Sequence, residues 1–155
     1  MKYPLIAQIN LPKFQVPQDF GYPGFGKYST GIDIECSENT MVQAIEDGVI
    51  INIKDYSGPY SNNPWWNPTK SVFVEGASGV IVYSGISPQQ TVFENSFINE
   101  GDIIGIVKSI AKNKTYLNLQ NYSFGEKEFI NWKFKSDKPE NVHNPRNLIL
   151  KAINE

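Results

Sequence analysis

Hydrophobic residues along the chain fall in short bursts, and most bursts alternate or carry β-branched side chains. Val42-Gln43-Ala44-Ile45 and Gly48-Val49-Ile50-Ile51-Asn52-Ile53 read as strands paired across a Glu46-Asp47-Gly48 turn. Ser71-Val72-Phe73-Val74-Glu75 and Gly79-Val80-Ile81-Val82-Tyr83 flank Gly76-Ala77-Ser78-Gly79 and predict a second hairpin. Asp102-Ile103-Ile104-Gly105-Ile106-Val107 follows a Glu100-Gly101 turn and predicts a further strand. Between Thr115 and Tyr122 larger and polar side chains alternate, the signature of a half-buried strand. Helical periodicity is confined to one turn around residues 89–97 and another around 147–153. Short strands divided by glycine predict an all-β sandwich or barrel-like domain.

Two stretches interrupt this pattern. Residues 10–30 carry Pro12, Pro17, Gly21, Pro23, Gly24 and Gly26 among aromatics, so they predict an irregular lead-in loop. Residues 55–70, with Tyr60, Trp65 and Trp66, predict a long loop too apolar to be a linker. Loops of that length inside a domain usually carry function. The chain shows no internal repeat, low-complexity tract or charge run. It divides into a lead-in over residues 1–24, packed on the domain, and one β domain over 25–155.

Composition narrows the functions. At 155 residues and 40% hydrophobic the chain is long enough to bury a core without staples. Its 14 Lys plus Arg against 16 Asp plus Glu give a net charge of −2, so no basic excess supports nucleic acid as the partner. One cysteine, Cys36, excludes an internal disulfide and any multi-cysteine metal site. One histidine, His143, excludes every mechanism that needs two within the chain. Gln8, Asn10 and Pro12 break the N-terminal apolar stretch, so no signal peptide and no membrane span are expected. A cytoplasmic place, or one inside an assembly, follows unless an N-terminal segment has been removed.

The segment Tyr28-Ser29-Thr30-Gly31-Ile32-Asp33-Ile34, followed by Val42-Gln43-Ala44-Ile45-Glu46-Asp47-Gly48-Val49, resembles the opening of the M23 (LytM/lysostaphin-like) zinc peptidases. That family reads His-x-Gly-x-Asp, a turn, then Val-x-Ala-x-x-x-Gly-x-Val. Further segments resemble the family in order. Val82-Tyr83-Ser84-Gly85-Ile86 stands for its Tyr-x-His-Leu, and Gly101-Asp102-Ile103-Ile104-Gly105 for its Gly-x-x-Ile-Gly. Tyr116-Leu117-Asn118-Leu119-Gln120 stands for its His-Leu-His-Phe-Glu, and Asn144-Pro145-Arg146-Asn147-Leu148 for its closing Asp-Pro-x-x-Leu. The resemblance spans residues 25–150. It implies a single domain of antiparallel sheets, of the duplicated hybrid motif type, with long loops and at most short helices.

The resemblance also implies which positions carry chemistry. In the family, zinc is held by the His and Asp of the first motif and the second His of His-x-His, with water in the open fourth position. The other two histidines handle protons and steady the tetrahedral intermediate. Here Ser29 replaces the first ligand, Asn118 the histidine ligand, Tyr116 the histidine before it and Gly85 the remaining one; Asp33 is retained. A hydroxyl and an amide beside one carboxylate are weak partners for zinc. The expectation is a degenerate domain with no catalytic residue, no metal and no cofactor. His143 lies beside the closing motif and reads as a surface residue. A Cys36–His143 nucleophile pair is disfavoured, because Cys36 follows Asp33 by three residues and points away from the groove.

Ser29, Asp33, Gly85, Tyr116 and Asn118 then form a metal-free groove floor. Asp33 needs donors there, and Ser29, Thr30, Tyr116 and Asn118 are the candidates. Tyr60, Trp65, Trp66 and Asn67 either present a surface for sugar rings or a peptide, or fold back as a plug over the barrel end; the sequence leaves both open. The expected function is a binding, regulatory or structural module, with cell-wall glycan, peptide or a protein as partner. The alternatives are a divergent peptidoglycan or peptide hydrolase with a non-standard metal site and a structural part of a larger assembly. A resemblance to phosphocarrier domains fails, because no groove strand carries a histidine.

Overall fold

In chain order the computed structural model, which describes residues 1–6, 20–24 and 27–154, contains eleven named strands and one helix. They are β1 (Pro23–Gly24), β2 (Lys27–Tyr28), β3 (Gly31–Glu35), β4 (Met41–Gln43), β5 (Gly48–Ser57), β6 (Thr69–Gly76), β7 (Gly79–Pro88), β8 (Phe97–Ile98), β9 (Ile103–Val107), β10 (Tyr116–Tyr122), β11 (Val142–His143) and α1 (Arg146–Ile153). β1 and β2 pair with each other, and the remaining nine strands form one sheet in which every pairing is antiparallel. Its main path runs β11-β10-β7-β6-β5-β8, with β3 on β10, β9 on β7 and β4 on β9. No helix among the described residues is long and apolar enough to cross a membrane.

The β-branched runs of β6 and β7 occupy the middle of the sheet because both of their faces are covered. Val72, Val74, Ile81 and Tyr83 enter a main core with Ile32, Ile34, Leu117 and Leu119, closed by Leu148 and Ile149 of α1. The alternate residues Phe73, Val80 and Val82 enter a second core with Tyr122 and Val142, covered by Phe129 and Ile130. Strands buried on both sides lose their polar alternation, as these have. On β3 and β10 only one face is apolar, so their odd and even positions divide between the main core and the other side.

Several elements differ from the sequence reading. β4 and β5 flank the turn at 46–48 but do not form a hairpin: β4 pairs β9, and β5 pairs β6 and β8. The Ile6 N–H bonds Met41 O at 3.0 Å, so the first residues extend the β4 edge instead. Residues 89–97 make turns closed by Val92 N–H to Gln89 O and Ser96 N–H to Phe93 O, not helix. The long loop is shorter than 55–70, because β5 continues through Lys54, Asp55 and Tyr56 to Ser57 and β6 begins at Thr69. Those polar residues lie on a half-exposed strand end, where no hydrophobic alternation announces a strand. The hairpin of β6 and β7 closes at Gly76 and Gly79 as expected. Of the lead-in, residues 7–19, 25 and 26 lie outside the described residues.

Gly31 sets how closely β3 approaches β10. A Cβ there would lie 2.5 Å from Leu119 O and 2.6 Å from Gln120 Cγ, both closer than atoms pack. Gly31→Ala is therefore expected to lower unfolding stability by about 1–3 kcal/mol. Urea denaturation of the two proteins checks this, and an unchanged midpoint would contradict the close approach.

Candidate functional site

The β3–β10 register puts Asp33 directly opposite Asn118, and Asn118 is in turn opposite Ser84 on β7. Side chains of paired residues share a face, so all three stand on one side of the sheet. Asn118 Nδ2 donates to Asp33 Oδ1 at 2.8 Å. Gln120 Nε2 donates to Asn118 Oδ1 at 3.1 Å. Thr30 Oγ1 donates to Gln120 Oε1 at 2.8 Å, and the Tyr122 hydroxyl donates to the same oxygen. Ile130 N–H closes the row on the Tyr122 hydroxyl at 3.2 Å. Every donor in this row points toward Asp33, which as a carboxylate only accepts. Amide dipoles aligned in series deliver partial positive charge where the family's pattern would place a cation.

Tyr56 is the extra residue at the bulge where the β5–β6 register shifts between Asp55 and Ser57. Its hydroxyl hydrogen-bonds Tyr116 and lies within the field of Asp33. Burial, and then these two neighbours, hold its ionisation well above the ordinary tyrosine range. Tyr56 therefore serves as a neutral hydrogen-bonding group. Ser84 Oγ meets Ser71 Oγ at 2.5 Å and completes the polar floor. One wall is the segment 127–130. Asn52 Nδ2 bonds Lys127 O at 2.6 Å, Lys54 pairs with Glu128, and Phe129 lies 6.5 Å from the Tyr56 ring.

The five sequence-selected floor positions separate. Asp33, Asn118 and Tyr116 come together. Ser29 does not: its Oγ donates to Gly31 O at 2.9 Å and stays in its own turn. Gly85 presents no side chain, and it sits where the β6–β7 register slips between Lys70 and Ser71. Its φ is +83°, with Tyr116 O at 3.0 Å from the Cβ a side chain would add. A histidine there would be strained. The polar side chain that β7 places on this face is its neighbour Ser84, fully buried against Ser71.

Tyr56, Ser84, Gln120 and Tyr122 escaped the sequence reading as site residues. Gln120 and Tyr122 were accessible through the period-two pattern of Tyr116, Asn118, Gln120 and Tyr122. Tyr56 was not, because a bulge aims it. His143 is exposed and bonds Ser123 at 2.9 Å. It pairs with Asn121, on the opposite face of β10 from Asn118. Cys36 packs against the main core, and burial pushes its thiol up to about 11. A thiol so held stays protonated at neutral pH and is no nucleophile.

The aromatic loop follows directly from Tyr56. Trp65 is 74% exposed and Tyr60 88% exposed, so neither folds back over the core, while Trp66 is half-buried. Asn67 anchors the loop: its N–H bonds Ile110 O at 2.8 Å, its Nδ2 bonds Ser109 O at 3.1 Å, and its carbonyl accepts Ser57 Oγ at 2.6 Å.

Two outcomes follow from this geometry. Asn118→Ala removes the donor to Asp33 and the acceptor of Gln120, with an expected cost of about 1–3 kcal/mol in denaturant unfolding. Cys36 and Tyr122, the latter pushed up to about 12 by burial, both keep their protons longer in the folded chain than in the unfolded one. The folded state then binds more protons above pH 9, so stability should fall as pH rises through that range toward 12. Thermal melts between pH 8 and 11 should show a steadily falling midpoint.

Solved structures supply the comparison. The catalytic domain of lysostaphin from Staphylococcus simulans matches with a TM-score of 0.60 at 18% identity, over 86% of this chain and 90% of that one. Helicobacter pylori Csd3 matches with a TM-score of 0.54 at 16% identity, over 99% of this chain but 40% of the longer Csd3 chain. A Pseudomonas aeruginosa protein described as a peptidase M23 matches with a TM-score of 0.51 at 17% identity, over 92% of this chain and 54% of that one. No protein-family profile and no curated protein sequence matches the chain. The mostly antiparallel sheet with its one short helix has the fold of the M23/LytM-type peptidases.

Proposed function

We propose that this is a catalytically inactive M23-fold domain that acts as a binding module through its groove. The observation that carries the reading is the hydrogen bond from Asn118 Nδ2 to Asp33 Oδ1. Asp33 is the one retained position of the family's ligand set, and here its carboxylate is held by an amide N–H, which donates and does not ligate metal. Ser29 Oγ is directed to Gly31 O, and the chain's one histidine stands on the other face of β10. A carboxylate, an amide and two phenol groups do not fit a catalytic zinc, which takes three charged or imidazole donors and an open position.

The groove keeps what recognition needs. Asp33, Tyr56, Tyr116 and Asn118 are half-buried polar groups on one sheet face, Phe129 beside Tyr56 is apolar, and an exposed aromatic loop follows Tyr56. Cell-wall glycan, a peptide or a protein surface all suit that chemistry. Lysostaphin and the Pseudomonas protein are named as peptidases, and that activity is not carried over to this chain on the fold alone.

Calorimetric titration of metal-stripped protein with zinc, with Asp33→Ala alongside, tests the reading. No heat of binding in the micromolar range is expected from either protein, and no release of soluble fragments from purified peptidoglycan or a pentaglycine peptide in the presence of zinc. Tight zinc binding that Asp33→Ala abolishes would overturn it and identify a divergent hydrolase.

A further inference from the structure

The loop joining β5 to β6 carries no charged residue over 58–68, yet Lys114 lies over one of its rings. It is internally pinned. Gly58 N–H bonds Asn63 O at 3.1 Å, Ser61 N–H bonds Gly58 O at 3.0 Å, and Trp66 N–H bonds Asn63 O at 3.2 Å. Its end is tied through Asn67 to Ser109 and Ile110, in the segment after β9. Those residues lead into the tight turn Ala111–Lys114, closed by Lys114 N–H to Ala111 O at 3.0 Å. Lys114 Nζ lies 5.5 Å from the Trp66 ring centre, and Trp65 meets Trp66 edge-on at 6.5 Å.

Charge sets this rim apart. Lys54, Lys70 and Lys108 around it are paired with Glu128, Asp55 and Glu38. Lys112 and Lys114 are exposed and take part in no ion pair among the described residues. In a chain of net charge −2 these two lysines share one tight turn, and Lys114 lies over Trp66, which the exposed Trp65 meets edge-on. Such rings on a pinned loop mark a contact surface. A membrane would require the rest of the loop to enter the headgroup region. Ser61, Asn62, Asn63 and Asn67 would then give up water, which costs free energy without new partners. Those same amides and hydroxyls match the hydroxyls of a sugar, and flat rings match its apolar C–H face.

We infer that the rim formed by Tyr60, Trp65, Trp66, Lys112 and Lys114 binds an acidic glycan, a saccharide chain bearing carboxylates. The aromatic rings stack on the sugars, and the two ammonium groups pair with the carboxylates. This rests on the reading of the domain as a binding module. It deepens that reading by naming the ligand class and by placing recognition on the rim beside the groove.

The test uses the full chain and two tetrasaccharides of similar size, hyaluronan tetrasaccharide with carboxylates and chitotetraose without, followed by tryptophan fluorescence. Hyaluronan tetrasaccharide should bind about tenfold more tightly at low salt, and added NaCl should shrink the difference. Trp65→Ala should weaken both saccharides several-fold, whereas the double variant Lys112→Gln and Lys114→Gln should erase only the preference. Circular dichroism keeps loss of fold apart from loss of binding. Equal affinity for the two saccharides, no effect of Trp65→Ala, or absence of binding to both would overturn the inference. So would binding to phosphatidylglycerol vesicles alone, which would make the rim a lipid contact. Hydrolysis of peptidoglycan with an intact hyaluronan preference would overturn only the inactive-domain reading. Lack of preference without hydrolysis would overturn only the rim assignment.

Discussion

A carboxylate on a sheet face must be answered by a donor or a cation, and Asp33 meets that demand through Asn118. The rest of the site is arranged around this pair. Asn118 turns its nitrogen to Asp33, so its oxygen is left for Gln120, and the oxygen of Gln120 is left for Thr30 and Tyr122. Each amide's orientation is fixed by the one before it, and the first is fixed by the charge. The row joins the end of β10 nearest the aromatic loop to the buried Tyr122 in the second core. The polar floor and the hydrophobic packing are thus one continuous structure on one face of the sheet.

The same face divides along its length. At one end Phe73, Val82 and Tyr122 are sealed by Phe129, Ile130 and Val142. At the other end Tyr56, Tyr116, Asn118 and Asp33 are polar and half-buried, with Phe129 against the Tyr56 ring. Two irregularities fall at this polar end: the bulge that releases Tyr56, and the register slip at Gly85. Bulges twist a strand and re-aim its side chains. Here they bring a phenol into the floor from β5 and withdraw a side chain from it on β7. The groove is shaped by backbone geometry as much as by residue type.

The aromatic loop shows how exposure and order coexist. Trp65 and Tyr60 point to solvent, while the backbone beneath them is bonded within the loop and to the neighbouring turn. A partner meeting such a surface orders few new torsions, so less entropy opposes binding than for a loose loop. The amide-rich sequence supplies both the turns that fix the backbone and the groups that face outward.

Much of the fold was legible in the chain. β-branched runs and turn glycines marked the hairpin of β6 and β7, and β9 and β10 as well. The order of motifs pointed to the M23 type of sheet. The residue types at Ser29, Asp33, Tyr116 and Asn118 also set the chemistry available at those positions. The strand assignments rest on local periodicity, which the sequence carries directly, and the type of sheet on the resemblance of ordered motifs to a known family. Which of those residues meet was decided by the tertiary structure. Register alone places Asn118 against Asp33, and a local turn takes Ser29 away. A positive φ removes Gly85 from the list of side chains, and a bulge adds Tyr56. The partnership of β4 with β9 belongs to the same class. Pairing between distant segments depends on how both faces of the sheet can be covered at once, and no local pattern records that.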